Sequence, residues 1–193
     1  IDEGLVGSEM CIRDSVYNRA LMASMIAAKG VDDAEKWAKG LVSNLAKRPQ
    51  GNDRSQLKSI YSGECDVAII NHYYYGKLTY SKNPDHRKWA KASIIVFPNQ
   101  GSSDRGAHVN ISGGGVVKFS KNKESATKFL EFLVTDEAQV LYGDVNFEYP
   151  INNKSKLPKR LKALGTFKED SLLIEDIAKL APKAQEIIDT VYW

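Results

Sequence analysis

The sequence predicts an α/β fold with a largely parallel sheet. Two observations carry that expectation. Stretches with a helical apolar period alternate along the chain with short apolar runs, the arrangement expected of strands joined through helices. The runs themselves, CDVAIIN at Cys65–Asn71 and ASIIVFPN at Ala92–Asn99, are almost continuous in apolar residues, as strands covered on both faces are.

The elements follow in order. YNRALMASMIAAKG, from Tyr17, places Leu21, Met22, Met25 and Ile26 on one helical face, and Gly30 suits its end. A second amphipathic helix follows through Ala34, Trp37, Ala38, Leu41 and Leu45, with Asp32 or Asp33 as the cap and Pro49 beyond its end. A short helix is expected from a cap at Asp53 to Gly63, and then the strand CDVAIIN. ASIIVFPN is read as another buried strand, and AHVNISGGGVVKF, Ala107–Phe119, as a strand, a glycine-softened bend and a second strand. Two helices come next, the second starting near Thr135 with Asp136 and Glu137 in its first turn. Pro150 breaks the pattern, and Ser171–Trp193 has helical spacing interrupted around Pro182. Neither an internal repeat nor a low-complexity linker stands out.

Bulk properties narrow the function classes. At 193 residues and 42% hydrophobic content the chain suits one large domain or two small ones. Its 27 basic and 24 acidic residues are spread along the chain with modest clusters such as Lys82–Lys91, a solvated surface with no footprint for nucleic acid. No apolar stretch approaches the roughly 18 to 20 residues of a membrane-spanning helix, and the first residues lack a signal-peptide pattern. Cys11 and Cys65 sit in different contexts and form neither a disulfide framework nor a zinc pattern; Cys65 reads as a small buried residue. LVGSEMCIRDS, Leu5–Ser15, resembles a translated sequencing adapter. Ile1–Ser15 is accordingly expected to have no evolved function, the native protein to start near Val16 in mid-fold, and the missing signal pattern to say nothing about location.

NHYYYGKL, Asn71–Leu78, stands at the carboxyl end of a predicted strand, where open α/β sheets hold their ligands. Three adjacent tyrosines starting a helix cannot all face one core, because neighbouring side chains are separated by about 100°. At least one therefore faces a cleft. A phenolate is a hard anionic ligand suited to Fe(III), and only a strong Lewis acid displaces a phenolic proton near neutral pH, its reference pKa being about 10. Two adjacent phenolates with a third from another element would form a ferric site, and Tyr17 is the natural third. The same cluster could instead build an aromatic core edge or stack sugars.

VYNRALMASMI, WAKGLVSNLAKRPQGND, GECDVAIINHYYYGKL, RGAHVNISGGGVVKFSKNKESATKFLEFL and EYPIN, in that order, resemble the second half of the ferric-iron-binding periplasmic proteins, the solute receptors of bacterial iron ABC transporters. The similarity covers nearly all of Val16–Trp193. It implies a periplasmic binding protein-like, class II, two-lobed α/β fold, of which this chain holds mostly the second lobe and part of the first. The implied organisation is a leader at 1–15, second lobe at 16–97, crossing strands and partial first lobe at 98–146, and C-terminal helices returning to the second lobe at 147–193. It implies Fe(III) bound by Tyr73 and Tyr74, with Tyr17 as third ligand, and Tyr75 beside the site or in packing. Further implications are a synergistic anion (bicarbonate, phosphate or citrate), delivery by a monomer to an inner-membrane permease, a periplasmic location, and no catalysis. Ligands that relatives draw from the opening part of the first lobe are missing here. The alternative is a receptor for a polyamine, sugar or phosphate ester, with the tyrosines stacking or hydrogen-bonding the solute.

Other polar residues receive plainer readings. His72 is placed beside the site or at the surface, His86 in a loop, and His108 next to a crossing strand. SGGGVV, Ser112–Val117, lacks the lysine-serine ending of a P-loop and the dinucleotide spacing, and is read as a hinge strand. Asp104 and Arg105 are read as exposed loop charges, with an anion contact by Arg105 open. No nucleophile elbow, HExxH helix or paired carboxylates suggest an enzyme.

Overall fold

The computed structural model describes residues 9–13, 15–152 and 154–193. In chain order the elements are β1 (Met10–Ile12), α1 (Val16–Lys29), α2 (Val31–Ser43), α3 (Asp53–Tyr61), β2 (Val67–Ile69), α4 (His72–Thr79), α5 (Pro84–Lys91), α6 (Lys123–Leu133), α7 (Asp136–Asn146), α8 (Lys159–Lys162) and α9 (Ile174–Val191). They fall into two compact units. One runs to Asn110 and resumes at Phe167–Trp193; the other is Ile111–Thr166.

Local chemistry sets the helix ends of the first unit. Ser15 Oγ accepts the Tyr17 N–H and opens α1, satisfying a donor that has no partner inside the helix. Gly30, at φ 82° and ψ 170°, ends α1 and starts α2, a backbone conformation essentially confined to glycine. The expected Asp32 or Asp33 cap is therefore not used, and both acids lie in the first turn of α2. α3 is capped by the Asn52 side chain, which accepts the Ser55 N–H, and Asp53, expected to be that cap, is freed to turn inward.

The main core lies among α1, α2 and α9: Met22, Ile26, Ala34, Ala38, Leu41, Ala184, Ile187 and Ile188 are buried together with Ile12 and Trp193. Trp37 meets Trp193 edge to face at 5.7 Å. α9 runs unbroken through Pro182, where an interruption was expected. Pro182 and Ala178 are both exposed, so water can satisfy the Ala178 carbonyl that proline leaves without an intrahelical donor. A second cluster packs Leu57, Leu78 and Ala90 with Tyr75 and Trp89, joining α3, α4 and α5.

β1 and β2 pair in parallel, Met10 opposite Val67, Cys11 opposite Ala68 and Ile12 opposite Ile69. The segment Ile1–Ser15 includes a fully buried strand; Ile1–Ser8 and Asp14 lie outside the described residues. Cys11 and Cys65 form a disulfide with Cα atoms 5.9 Å apart. Cys65 is buried as expected, but the two cysteines are not isolated. Their separation in sequence hid a contact that strand pairing creates.

The other anticipated strands do not form among the described residues. ASIIVFPN and AHVNISGGGVVKF lie outside regular structure, with Ile94 and Val96 exposed and only an isolated bridge from Ala107 to Glu169. A continuous apolar run becomes a buried strand only when neighbouring strands pair with it, and β2 alone has such a neighbour here. Gly113, Gly114 and Gly115 do not adopt positive φ.

In the second unit, Thr135 caps α7 as its sequence suggested, accepting the Ala138 N–H. Asp136 accepts hydrogen bonds from Ser155 and Asn152, and Gln139 accepts the Ile151 N–H, so the segment around Pro150 is tied to the start of α7. Tyr149 donates to the Gly165 carbonyl at 2.6 Å, and burial pushes its phenol up to about 12. Leu161 in α8 is buried, whereas α6 buries no residue and leaves Phe129 and Phe132 exposed.

Candidate metal centre

The parallel pair β1 and β2 ends on one side in two helix starts. β1 leads through Arg13 to α1, where Tyr17 is the second residue. β2 leads through Asn71 to α4, whose first turn carries Tyr73 and Tyr74. The two strands thus bring tyrosines distant in sequence to one edge of the sheet.

The three phenols converge. The Tyr73 phenol lies close enough to those of Tyr17 and Tyr74 to interact with both, and the Tyr73 and Tyr74 ring centroids are 4.4 Å apart. Burial first, then these interactions, hold the Tyr73 phenol well above the ordinary tyrosine range. In this state the Tyr73 phenol keeps its proton. Tyr73 and Tyr74 are half-buried and Tyr17 is 36% exposed, so the cluster is reachable from solvent.

Cations surround the rings. The Arg13 guanidinium lies 5.0 Å from the Tyr17 ring centroid and 5.9 Å from that of Tyr74. Arg54 stands 5.3 Å from Tyr74 and Lys77 5.3 Å from Tyr73. Among the described residues no group of three or more His, Cys, Asp or Glu side chains could hold a metal ion.

Neighbouring residues sort as follows. Tyr75 turns away, its hydroxyl donating to the Ser93 carbonyl at 3.3 Å while the ring packs in the second cluster. His72 stands edge-on to Tyr73 at 6.0 Å and 6.4 Å from Phe97. His86 belongs to α5 rather than a loop, its Nδ1 3.0 Å from Ser81 Oγ. Arg105, expected to be exposed, pairs with Asp170 at 2.7 Å and donates to the Ser24 carbonyl, which anchors its loop to α1. Arg13 and Asp53 were missed as site residues: Arg13 lay in the discounted leader, and Asp53 looked like a helix cap. Nothing in the sequence pairs them.

His108 is mostly buried, with no hydrogen-bond partner at Nε2, and burial lowers its pKa. The unfolded chain, with histidine near 6.5, then binds a proton that the folded chain refuses. Stability should fall as pH drops below about 6.5 and level off beneath the folded value. His108→Gln should flatten that slope, as read from urea midpoints between about pH 7 and pH 5; an unchanged slope would assign the acid sensitivity to other groups.

The model of the bacterial extracellular solute-binding proteins matches residues 15–140. This chain belongs to that family. Among the similar solute-binding proteins, Iron uptake protein A1 of Synechocystis is 41% identical over 177 residues, which are 92% of this chain and 49% of that protein. The ferric binding protein from Campylobacter jejuni superposes with TM-score 0.89 at 42% identity, covering 95% of this chain and 58% of that one. A Trichodesmium protein solved in complex with iron and citrate ligands gives TM-score 0.89 at 43% identity, covering 96% and 58%. The chain therefore has the class II periplasmic binding protein-like α/β fold over its own length, and it spans about half the length of the curated relatives it matches.

Proposed function

We propose that this chain is part of a ferric-iron solute-binding protein of an ABC-type uptake system, which takes Fe(III) as cargo and delivers it to a membrane permease. Tyr73 and Tyr74 ligate as phenolates, with Tyr17 as the third ligand. The observation that carries the reading is the gathering of Tyr17, Tyr73 and Tyr74 at the helix starts beyond the paired strands β1 and β2, on a scaffold similar to proteins named for ferric iron.

The cation-rich surroundings suit an anionic co-ligand, and the Trichodesmium relative was solved with iron and citrate. Bicarbonate or phosphate would serve the same charge. The Cys11–Cys65 disulfide fits an oxidising compartment such as the periplasm, the location named for the Serratia marcescens relative. We place the protein among monomeric binding proteins and not among enzymes. The organic-solute reading has no comparable support.

The test is a titration of ferric citrate into the purified chain, followed by visible absorption with far-UV circular dichroism alongside. A phenolate-to-iron charge-transfer band is expected, lost in the Tyr73→Phe, Tyr74→Phe double variant. A folded chain with no band, stabilised against heat instead by a polyamine, sugar or phosphate ester, would overturn the ferric reading in favour of an organic-solute receptor.

A further inference from the structure

Arg13 leaves the carboxyl end of β1 and runs between the two helices that carry the tyrosines. Its Nε lies 2.5 Å from Asp53 Oδ2, and the two side chains are 16% and 1% exposed. The other Asp53 oxygen accepts the Asn71 backbone N–H at 2.7 Å and the Asn71 side-chain amide at 3.3 Å. Asn71 is the residue from which α4 springs, and its carbonyl accepts the Tyr74 N–H at 3.1 Å. On the opposite flank the Arg13 carbonyl accepts from the Asn18 side chain, next to Tyr17, at 2.5 Å. One ion pair therefore touches the start of α1, α3 and α4 at once.

Two details set Arg13 apart from the other cations near the rings. Arg54 is exposed and Lys77 half-exposed, each on a flexible stem, whereas Arg13 is pinned by a carboxylate that is itself buried. Arg13 Nη2 is also buried without a hydrogen-bond acceptor, an unmade bond that proteins rarely tolerate. Loss of the phenol protons on ligation would create anionic acceptors beside it. A guanidinium does not deprotonate in proteins, so its charge is a fixed part of the site.

We propose that Arg13 is the positioning residue of the tyrosine cluster: held by Asp53, it fixes the Tyr17 and Tyr74 rings on its guanidinium and keeps a permanent positive charge beside them. The positioning half stands on the metal-free geometry; the electronic half rests on the ferric reading. A cation over an aromatic face is attracted more strongly as the ring gains electron density, so the contact tightens when phenol becomes phenolate. A cation that stabilises the phenolate electrons also raises the energy needed to move one of them to iron.

The test uses Arg13→Met, which keeps bulk and removes charge, and Arg13→Lys, which restores charge without the fork. With ferric citrate, Arg13→Met should move the charge-transfer band to longer wavelength and weaken ferric affinity roughly tenfold, the scale of one partly desolvated cation–π contact. Arg13→Lys should return the band toward the parent wavelength, which a purely structural residue would not require. In the metal-free chain, the carbon-13 ring signals of Tyr17 and Tyr74 should shift in Arg13→Met and move back in Arg13→Lys. A folded parent chain with no charge-transfer band that an organic solute stabilises instead would sink the ferric reading, and the metal-free ring signals would then decide the positioning role. Parent wavelength and parent ring signals in Arg13→Met would overturn the proposal. If Arg13→Met does not fold by circular dichroism, Arg13→Lys decides: the parent wavelength supports the proposal, and a band at longer wavelength despite the retained charge refutes it.

Discussion

Asp53→Ala should destabilise the metal-free chain by about 3 to 5 kcal/mol, the cost of breaking a buried ion pair by removing one partner. The Asp53 side chain is 1% exposed and that of Arg13 16%, so water does little to screen the pair or to solvate what the substitution leaves behind. Alanine would strand the guanidinium against two aromatic rings and leave the Asn71 N–H, which donates to Asp53 at 2.7 Å, without its acceptor. Both losses act on the start of α4, so the helix that carries Tyr73 and Tyr74 should loosen first. Urea unfolding measures the effect as a lower midpoint at unchanged slope. Asp53→Asn keeps an oxygen for the Asn71 N–H and should recover part of the loss. A shift below about 1 kcal/mol in Asp53→Ala, the range of exposed ion pairs, would show that the pair does not hold these elements together.

How much of this was legible in the sequence depended on the range over which each cause acts. α1 was readable because its apolar period, its opening near Tyr17 and its Gly30 stop all lie within one turn or two of the residues they govern. α7 was readable from Thr135 and the two acids after it for the same reason. The tyrosine cluster was partly legible: Tyr73 and Tyr74 announce themselves by adjacency, and Tyr17 by its place at a second helix start. What the sequence hid was whatever depends on a distant partner. ASIIVFPN has the composition of a buried strand, yet Ile94 and Val96 stay exposed because no strand among the described residues pairs with them. Asp53 has the position of a helix cap, but Asn52 takes that role one residue earlier, and burial beside Arg13 follows from the fold and not from the local pattern.

Reduction of Cys11–Cys65 is the second large effect to expect. The bond closes a loop with a sequence separation of 54 residues, and the chain-entropy relation for a loop of that size gives about 4 kcal/mol of stabilisation lost when it opens. The location makes the loss specific. β1 is only three residues long, too short to hold its register by backbone hydrogen bonds alone, and Cys11 is its middle residue while Cys65 lies two residues before β2. Arg13 follows β1 immediately, so a strand that slips carries the Arg13 anchor and the start of α1 with it. Thermal unfolding with and without a phosphine reductant should show a midpoint lowered by roughly 10 °C, from about 2 to 4 °C per kcal/mol in a chain of this size. The Cys11→Ala, Cys65→Ala variant should melt near the reduced parent and ignore the reductant. Were the reduced parent to melt within about 2 °C of the oxidised one, less than 1 kcal/mol on the same scale, the register of β1 on β2 would have to be set by the burial of Met10 and Ile12, and the disulfide would add nothing to the positioning of the tyrosines.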